Sequence, residues 1–350
     1  MKAIVTTRNG PPEVLRLQDI PIPVPAASEV LIKVHASSVN PLDGYLMKGP
    51  LFFLPSLSGR MKVKHLVIGA DLAGTVEAVG KDIQHLRPGD QVFGTCRLEQ
   101  SLGAFAQYAC TREDMLALKP ANMSFEQAAA VPVAAITALQ GLRDYGQIQP
   151  GQKVLIGGAS GGVGTFAVQI AKALGAEVTA VCSPRNIETA HALGAEHVID
   201  YTREDFARSG VLYDLIFGAN VHRSLGDYTR VLRPGGTFVL AGGAFAQIIP
   251  TFLLGPVLSR LGSKKIRFFI AKMNAGDLNV LSQFLEAGKI VPVIDRCYPL
   301  AQAADAVRYR EEGHAKGKVV ITIGHEPSYQ EHSGLLEVNE LPPGSIHSDH

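Results

Sequence analysis

The stretch Gly157-Gly158-Ala159-Ser160-Gly161-Gly162-Val163-Gly164 has the residue types and spacing to hold a pyrophosphate. Gly161 and Gly162 let the backbone come close to phosphate, and Gly164 lets a following helix lie close on the preceding strand. Unpaired amides and the helix dipole then point at the negative charge. Ala159 stands where the usual G-x-G-x-x-G motif has its first glycine, and such a turn alone also fits a plain structural connection. Its neighbours add weight to the binding reading. Lys153 to Ile156 is a short apolar run entered through Pro150-Gly151, as a strand buried on both faces is. Thr165 to Leu174 carries apolar residues at helical spacing and stops at Gly175. Glu177 to Cys182 follows as a second strand. Strand, turn, helix and strand predict a dinucleotide site in which Ala159, Ser160, Gly161, Gly162 and Val163 face the phosphates.

A site for NAD usually carries an acidic residue about twenty positions beyond the glycine motif, bonded to the ribose 2′-hydroxyl. Here the second strand runs into Cys182-Ser183-Pro184-Arg185-Asn186, with no carboxylate before Glu188. Ser183 can donate to a phosphate and Arg185 can neutralise it bidentately. The plain alternative is a surface arginine. The expected cofactor is NADP(H).

Elements able to position such a site fit the composition. A chain of 350 residues with 46% hydrophobic and 19% charged content suits two domains with sizeable cores. Its net charge of +1 gives no electrostatic reason to expect nucleic acid or an anionic membrane as partner. The four cysteines, Cys96, Cys110, Cys182 and Cys297, form no C-x-x-C pair and point to reduced thiols in the cytoplasm. The N-terminus lacks the apolar core of a signal peptide, and Ala244 to Leu258 is too short and too broken by Gln247, Pro250 and Pro256 to span a bilayer.

Residues 1 to about 120 read as short strands with Gly/Pro turns, which suggests a compact barrel. The strands are Lys2–Thr6, Glu29–Ala36, a glycine-punctuated one within Val67–Val79, Gln91–Gly94 and Ala104–Ala109. Ser124 with Gln127 forms a capping box for a helix over Phe125–Val131, and a longer helix covers roughly Ala134–Tyr145. Strands at His197–Ile199, Asp214–Phe217, Thr237–Leu240 and Ile266–Ile270 bring the α/β unit to six, as a complete doubly wound domain requires. A helix at 278–287 and an apolar strand at Val319–Ile323 follow, the latter rejoining the barrel. Residues 325–350 are polar and aperiodic and read as a disordered tail.

The motifs N-P-L-D at 40–43, G-A-D-L-A-G-T-V-E-A-V-G at 69–80, R-P-G-D-Q-V-F-G at 87–94, A-A-A-V-P-V-A-A-I-T-A-L at 128–139, G-A-S-G-G-V-G at 158–164 and V-I-D-Y at 198–201 resemble those of the zinc-independent medium-chain dehydrogenase/reductases, in the quinone oxidoreductase-like branch. The resemblance covers about residues 1–324. It implies a GroES-like β-barrel catalytic domain from residues 1–124 and 271–324, a Rossmann domain at 125–270, and often a homodimer. Zinc-dependent relatives carry Gly-His-Glu where this chain has Gly69-Ala70-Asp71, and a cysteine within the loop matching Ser37–Asp43. With neither in place, no metal site is expected. Removing hydride from an alcohol needs a stabilised alkoxide, which zinc normally supplies. Adding hydride to a quinone or activated double bond needs only a few donors to hold the resulting oxyanion. The expected substrate is a small hydrophobic electrophile of that kind.

By the same resemblance the loop Ser37–Tyr45 faces the nicotinamide. Asn40 is the first candidate to bond substrate or cofactor, with Asp43 and Tyr45 as relay or proton-donor groups. For Asp43 the alternative, a helix cap, is the better reading. Relatives carry Trp-His after N-P-L-D, so Gly44-Tyr45 is a departure. Thr137 matches a position near the carboxamide, and Tyr201 one that helps hold the 2′-phosphate. Asn220, in a loop where the family tends to show Asp-x-x-Gly, is expected to border the cofactor, as are Gly242 and Gly243. Leu51–Leu54 reads as a mobile lid with Gly49, Pro50 and Gly59 as hinges. Two competing readings stay open. One is an enoyl-thioester reductase using Lys62, Lys64, Lys264 and Lys265 for the thioester's phosphates. The other is a non-catalytic regulatory or scaffold protein that binds NADPH, in which Phe52 or Phe53 fills the cleft.

Overall fold

A computed structural model describes residues 1–6, 8–48, 66–96, 103–243 and 245–324. The expected lid at 51–54 with its basic neighbours Arg60, Lys62 and Lys64, and the tail at 325–350, lie outside the described residues.

The first part of the chain forms β1 (Lys2–Thr6), β2 (Arg16–Asp19), β3 (Glu29–Ser38), α1 (Pro41–Lys48), β4 (Leu66–Val67), β5 (Asp71–Val79), β6 (Gln91–Thr95), β7 (Tyr108–Arg112) and β8 (Leu116–Leu118). The middle forms α2 (Phe125–Ala129), α3 (Pro132–Gln140), β9 (Lys153–Gly157), α4 (Gly162–Ala173), β10 (Glu177–Cys182), α5 (Ile187–Ala192), β11 (His197–Asp200), β12 (Tyr213–Gly218), α6 (Leu225–Arg230), β13 (Leu232–Leu240), α7 (Phe245–Leu261) and β14 (Lys265–Phe268). The chain closes with α8 (Ala275–Glu286), β15 (Ile294–Pro299), α9 (Ala303–Glu311) and β16 (Lys318–Thr322).

The six middle strands lie in the order β11-β10-β9-β12-β13-β14, all parallel. Strand order reverses between β10 and β12 on either side of β9, so the crevice outside the carboxyl end of β9 is where such a sheet takes a ligand. Val154, Leu155 and Ile156 are fully buried, which is why β9 reads as a continuous apolar run. The other sheets share the two ends of the chain: β15-β16-β3-β5-β6-β8 with β7 also on β3, beside the small sheet β2-β1-β4. Strand β16 pairs antiparallel with β3 through Val320, Ile321 and Thr322, so the late strand rejoins the early barrel.

Local differences from the sequence expectations have physical causes. The strand expected at Ala104–Ala109 begins instead at Tyr108. Ala104 and Phe105 form a buried connection whose amides donate to Gly69 and Ile68 carbonyls. Gly69, at φ +106°, breaks the expected Val67–Val79 strand in two, and a side chain there would collide with Phe105. The helix expected to reach Tyr145 is α3 to Gln140, continued by a π-turn over Gly141–Tyr145. The apolar stretch after β13 is one helix, α7, with Pro250 and Pro256 inside it. Among the described residues no helix is long and apolar enough to cross a membrane.

The capping box at Ser124 is present: its hydroxyl accepts from the Gln127 amide at 3.2 Å, and the Gln127 side chain accepts from the Ser124 amide at 2.9 Å. Ser124→Ala should lower stability by about 1 kcal/mol. A thermal melt at fixed scan rate should show this as a drop of about 2 °C, and an unchanged melt would mean the box contributes nothing.

Candidate active site at the junction of barrel and sheet

The cofactor turn follows from its glycines. Gly158 has φ +73° and lies against Asn220, where a side chain would collide with the Asn220 backbone. A Cβ on Gly164 would fall on the Gly158 carbonyl and the Ala159 backbone, so only glycine lets α4 start this close to β9. Gly161 stands at the N-cap of α4 and brings no capping side chain, so the first-turn amides keep their donors for a ligand. These features fit a dinucleotide's diphosphate. Ala159 is buried and anchors the turn by donating to the Val181 carbonyl at 3.1 Å; Ser160 and Val163 are half-buried beside it.

Neighbouring loops converge on the same crevice. Ala219 and Asn220 donate to the Gly157 carbonyl at 3.0 and 3.3 Å, and Gly243 bridges to Val221. Gly242 sits against the Ala219 carbonyl. Thr137, on α3, bonds its hydroxyl back to the Val133 carbonyl at 2.6 Å, the helix-internal bond that a threonine makes without a ligand. At the far end, Ser183 and Arg185 follow β10 and Tyr201 follows β11, with Tyr201 largely exposed. The Asn186 side-chain amide donates to Ser183 Oγ at 2.9 Å. Among the described residues, one oxygen each of Asn186 and Asp200 is buried without a hydrogen-bond donor, the Asp200 oxygen lying 3.7 Å from Arg203 Nε. Arg185 reaches across to the barrel, donating to the His314 carbonyl at 2.9 Å.

The loop after β3 is organised by two buried carboxylates. Asp43, fully buried, accepts from the Asn40 amide at 2.7 Å and the Gly69 amide at 3.1 Å. It therefore caps α1 and fastens the 69–70 turn, and both its oxygens serve backbone. Asp71 is also fully buried. Its Oδ2 accepts from Ser38 Oγ at 2.6 Å, Asn40 Nδ2 at 2.8 Å and Lys318 Nζ at 3.1 Å. Its Oδ1 accepts from the Val133 amide at 2.8 Å, capping α3, whose N-cap residue Val131 has no side-chain acceptor. Four donors fill the roughly four acceptor positions of a carboxylate.

Asn40 is held on every side. Its Nδ2 donates to Asp71 and, at 3.3 Å, to the Ser38 carbonyl, while its Oδ1 accepts from Lys318 at 2.8 Å. What it still offers is acceptor capacity on Oδ1, so it suits a hydroxyl partner better than an oxyanion. Tyr45 is half-buried on α1, near Arg310 of α9. Burial holds the Arg310 guanidinium below its ordinary value, and Tyr45 and Asp43 act against that shift. At Gly44 a Cβ would lie 2.7 Å from the tip of the Glu311 side chain, which pairs with Lys48.

Lys318 joins the two halves of the site, and sequence reasoning passed over it. Its stem lies on the cofactor turn, 2.8 Å from where a Gly162 Cβ would be, and its head reaches Asn40 and Asp71. The preceding Gly317 donates to the Ser160 carbonyl at 2.9 Å. A signal was available in the sequence. A lysine at the head of the apolar run K-V-V-I-T is buried with the strand, and a buried ammonium needs a carboxylate.

Burial pushes the Asp43 carboxyl up from 3.8 to about 7; the Asn40 amide opposes this, nearby Asp71 adds to it, and Lys318 and the Gly69 amide oppose it in turn. The folded state thus holds this proton more tightly than the unfolded chain. The associated stability is fully present below pH 3.8 and is lost as the pH rises to about 7. The Tm of the wild type minus that of Asp43→Asn should therefore fall across that window; a difference independent of pH would show that Asp43 does not titrate there.

Comparison with known proteins agrees with this architecture. A family model described as "Alcohol dehydrogenase GroES-like domain" matches residues 26–121, and one described as "Zinc-binding dehydrogenase" matches residues 193–321. The mouse (Mus musculus) protein named "NAD(P)H oxidoreductase RTN4IP1, mitochondrial" is 32% identical, over 92% of this chain and 89% of its own. The 2-methylene-furan-3-one reductase of Solanum lycopersicum is 33% identical, over 92% of this chain and 79% of its own. The solved quinone oxidoreductase from Coxiella burnetii superposes with a TM-score of 0.82 at 30% identity, covering 93% of this chain and 99% of that one. The chain belongs to the medium-chain dehydrogenase/reductases, in their quinone oxidoreductase-like branch, and is an oxidoreductase that uses a nicotinamide cofactor.

Proposed function

We propose that this protein is an NADPH-dependent, zinc-independent reductase of quinones, enones or related activated carbonyls. The observation that carries the reading is the state of Asp71, whose acceptor positions are all spent on Ser38, Asn40, Val133 and Lys318. A carboxylate bonded in this way, with an ammonium at 3.1 Å, has no place for a divalent ion. Among the described residues no cluster of His, Cys, Asp and Glu has the geometry to hold a metal. The donor set therefore does not fit zinc.

A bound reduced nicotinamide supplies hydride to an electron-poor carbon. The protein's part is to hold the acceptor, exclude water and stabilise the oxyanion that appears on the substrate. Tyr45 is the candidate donor to that charge on this loop, while the Lys318 ammonium holds Asn40 and Asp71. A relative named for reducing a 2-methylene-furan-3-one, an enone by its name, supports the substrate class. Ser183 and Arg185 after β10 support NADPH, Arg185 being able to exchange the His314 carbonyl for a phosphate. The enoyl-thioester reading stays open: Lys264 donates to the Thr229 carbonyl at 2.6 Å, Lys265 is exposed, and Lys62 and Lys64 lie outside the described residues. Phe52 and Phe53, on which the scaffold reading turned, lie outside them too.

The test is NADPH consumption with a panel of quinones, enones and enoyl thioesters, repeated with NADH and with a chelator. Turnover that prefers NADPH and ignores the chelator is expected; chelator-sensitive turnover would overturn the zinc-independent reading. Arg185→Ala should raise the KM for NADPH about tenfold or more and leave that for NADH unchanged. Equal effects on both cofactors would remove Arg185 from the 2′-phosphate site.

A further inference from the structure

Lys318 stands between the cofactor turn and the loop that carries Asn40. A side-chain amide has two faces of nearly equal shape, and its neighbours decide which way it points. Here Oδ1 of Asn40 faces the Lys318 ammonium at 2.8 Å, and Nδ2 faces the Asp71 carboxylate at 2.8 Å. Turning the amide over would aim its N–H groups at the cation and its oxygen at the anion. One orientation satisfies both charges and the other offends both. We propose that Lys318 is a positioning residue for the reduction: with Asp71 as counter-ion it fixes the orientation of the Asn40 amide, and through its stem on Gly162 it couples that amide to the seat of the cofactor's diphosphate. The proposal rests on the reductase reading above.

The coupling is built from contacts on both sides of the ammonium. The Lys318 amide donates to the Val293 carbonyl at 2.8 Å, and Gly317 donates to Ser160, so the stem is fixed against the turn at its base. On the opposite side Val39, next to Asn40, donates to the Val319 carbonyl at 2.9 Å. A shift of the glycine turn is therefore carried to Asn40 through one residue of β16. The titratable groups facing Asp71 are Lys318 on β16, Asp43 on α1 and Cys96 after β6, while the N-terminus of α3 faces it through Val133.

The experiment compares wild type, Lys318→Arg, Lys318→Met and Asp71→Asn/Lys318→Met. Turnover is measured with NADPH and the best acceptor, NADPH affinity by fluorescence titration, and hydrogen exchange of the Asn40 side-chain amide by NMR of asparagine-labelled protein. Lys318→Met should lower kcat by a factor on the order of 10², with NADPH affinity within about threefold of wild type. Lys318→Arg should restore most of kcat. The doubly neutral variant should fold, bind NADPH and stay slow. Asn40 amide protection should be lost in both Met variants and kept in Lys318→Arg. Wild-type kcat in Lys318→Met, or its recovery in the double variant, would reduce Lys318 to balancing a buried charge and overturn the proposal. Unchanged Asn40 protection in Lys318→Met would overturn it even if no acceptor is turned over, an outcome that would separately sink the reductase reading.

Discussion

The structure depends on a buried pair of opposite charges, Asp71 and Lys318, at the meeting point of four elements. Taking both ions out of water is expensive, and their attraction offsets the cost only when the other lone pairs and protons also find partners. Here they do. Ser38 and Asn40 come from the end of β3, Val133 from the start of α3, and Lys318 from β16. Each of these segments must arrive in register, or a buried charge is left bare. The pair does not explain why the protein is stable so much as why the return of β16 to β3 is specified, with the late end of the chain beside the early loop.

Much of the fold was legible in the sequence because its signals are local. The buried strand β9, the glycine turn, α4 and β10 each announce themselves within a window of about ten residues by period and punctuation. The Ser124 capping box is three residues long. The errors fall where burial does not mean strand. Ala104-Phe105-Ala106 is apolar and fully buried, yet it is a connection satisfied by the carbonyls on either side of Gly69, which no periodicity shows. Site residues divide in the same way. Those of the cofactor loops follow from spacing along the chain. Ser38, Asp71 and Lys318 acquire meaning only together, and the last two are 247 positions apart. Asp71 entered the sequence argument as a residue that fails to make a zinc site. Its positive role needs the lysine.

The two departures from the family pattern share a neighbour in α9. Gly44 faces α9, where a Cβ would meet only the tip of the Glu311 side chain, a group able to move aside. Tyr45, beside it, faces a cationic environment from Arg310. The same helix contact thus bears on both departures, through Glu311 at Gly44 and Arg310 beside Tyr45.

The cofactor's seat is shared between barrel and sheet more closely than either half suggests alone. Arg185, after β10, bonds the His314 carbonyl; Ser160, in the glycine turn, accepts from Gly317; Lys318 lies along Gly162. All three partners belong to one short run of the barrel, 314–318, between α9 and β16. Arg185 holds one end of that run through His314, and the glycine turn meets the other end at Ser160 and Gly162. The run ends in the lysine that holds Asn40. Cofactor binding and the geometry of the catalytic loop are therefore not independent, because one stretch of backbone, fixed at both ends by contacts to the glycine turn and the Arg185 loop, answers to both.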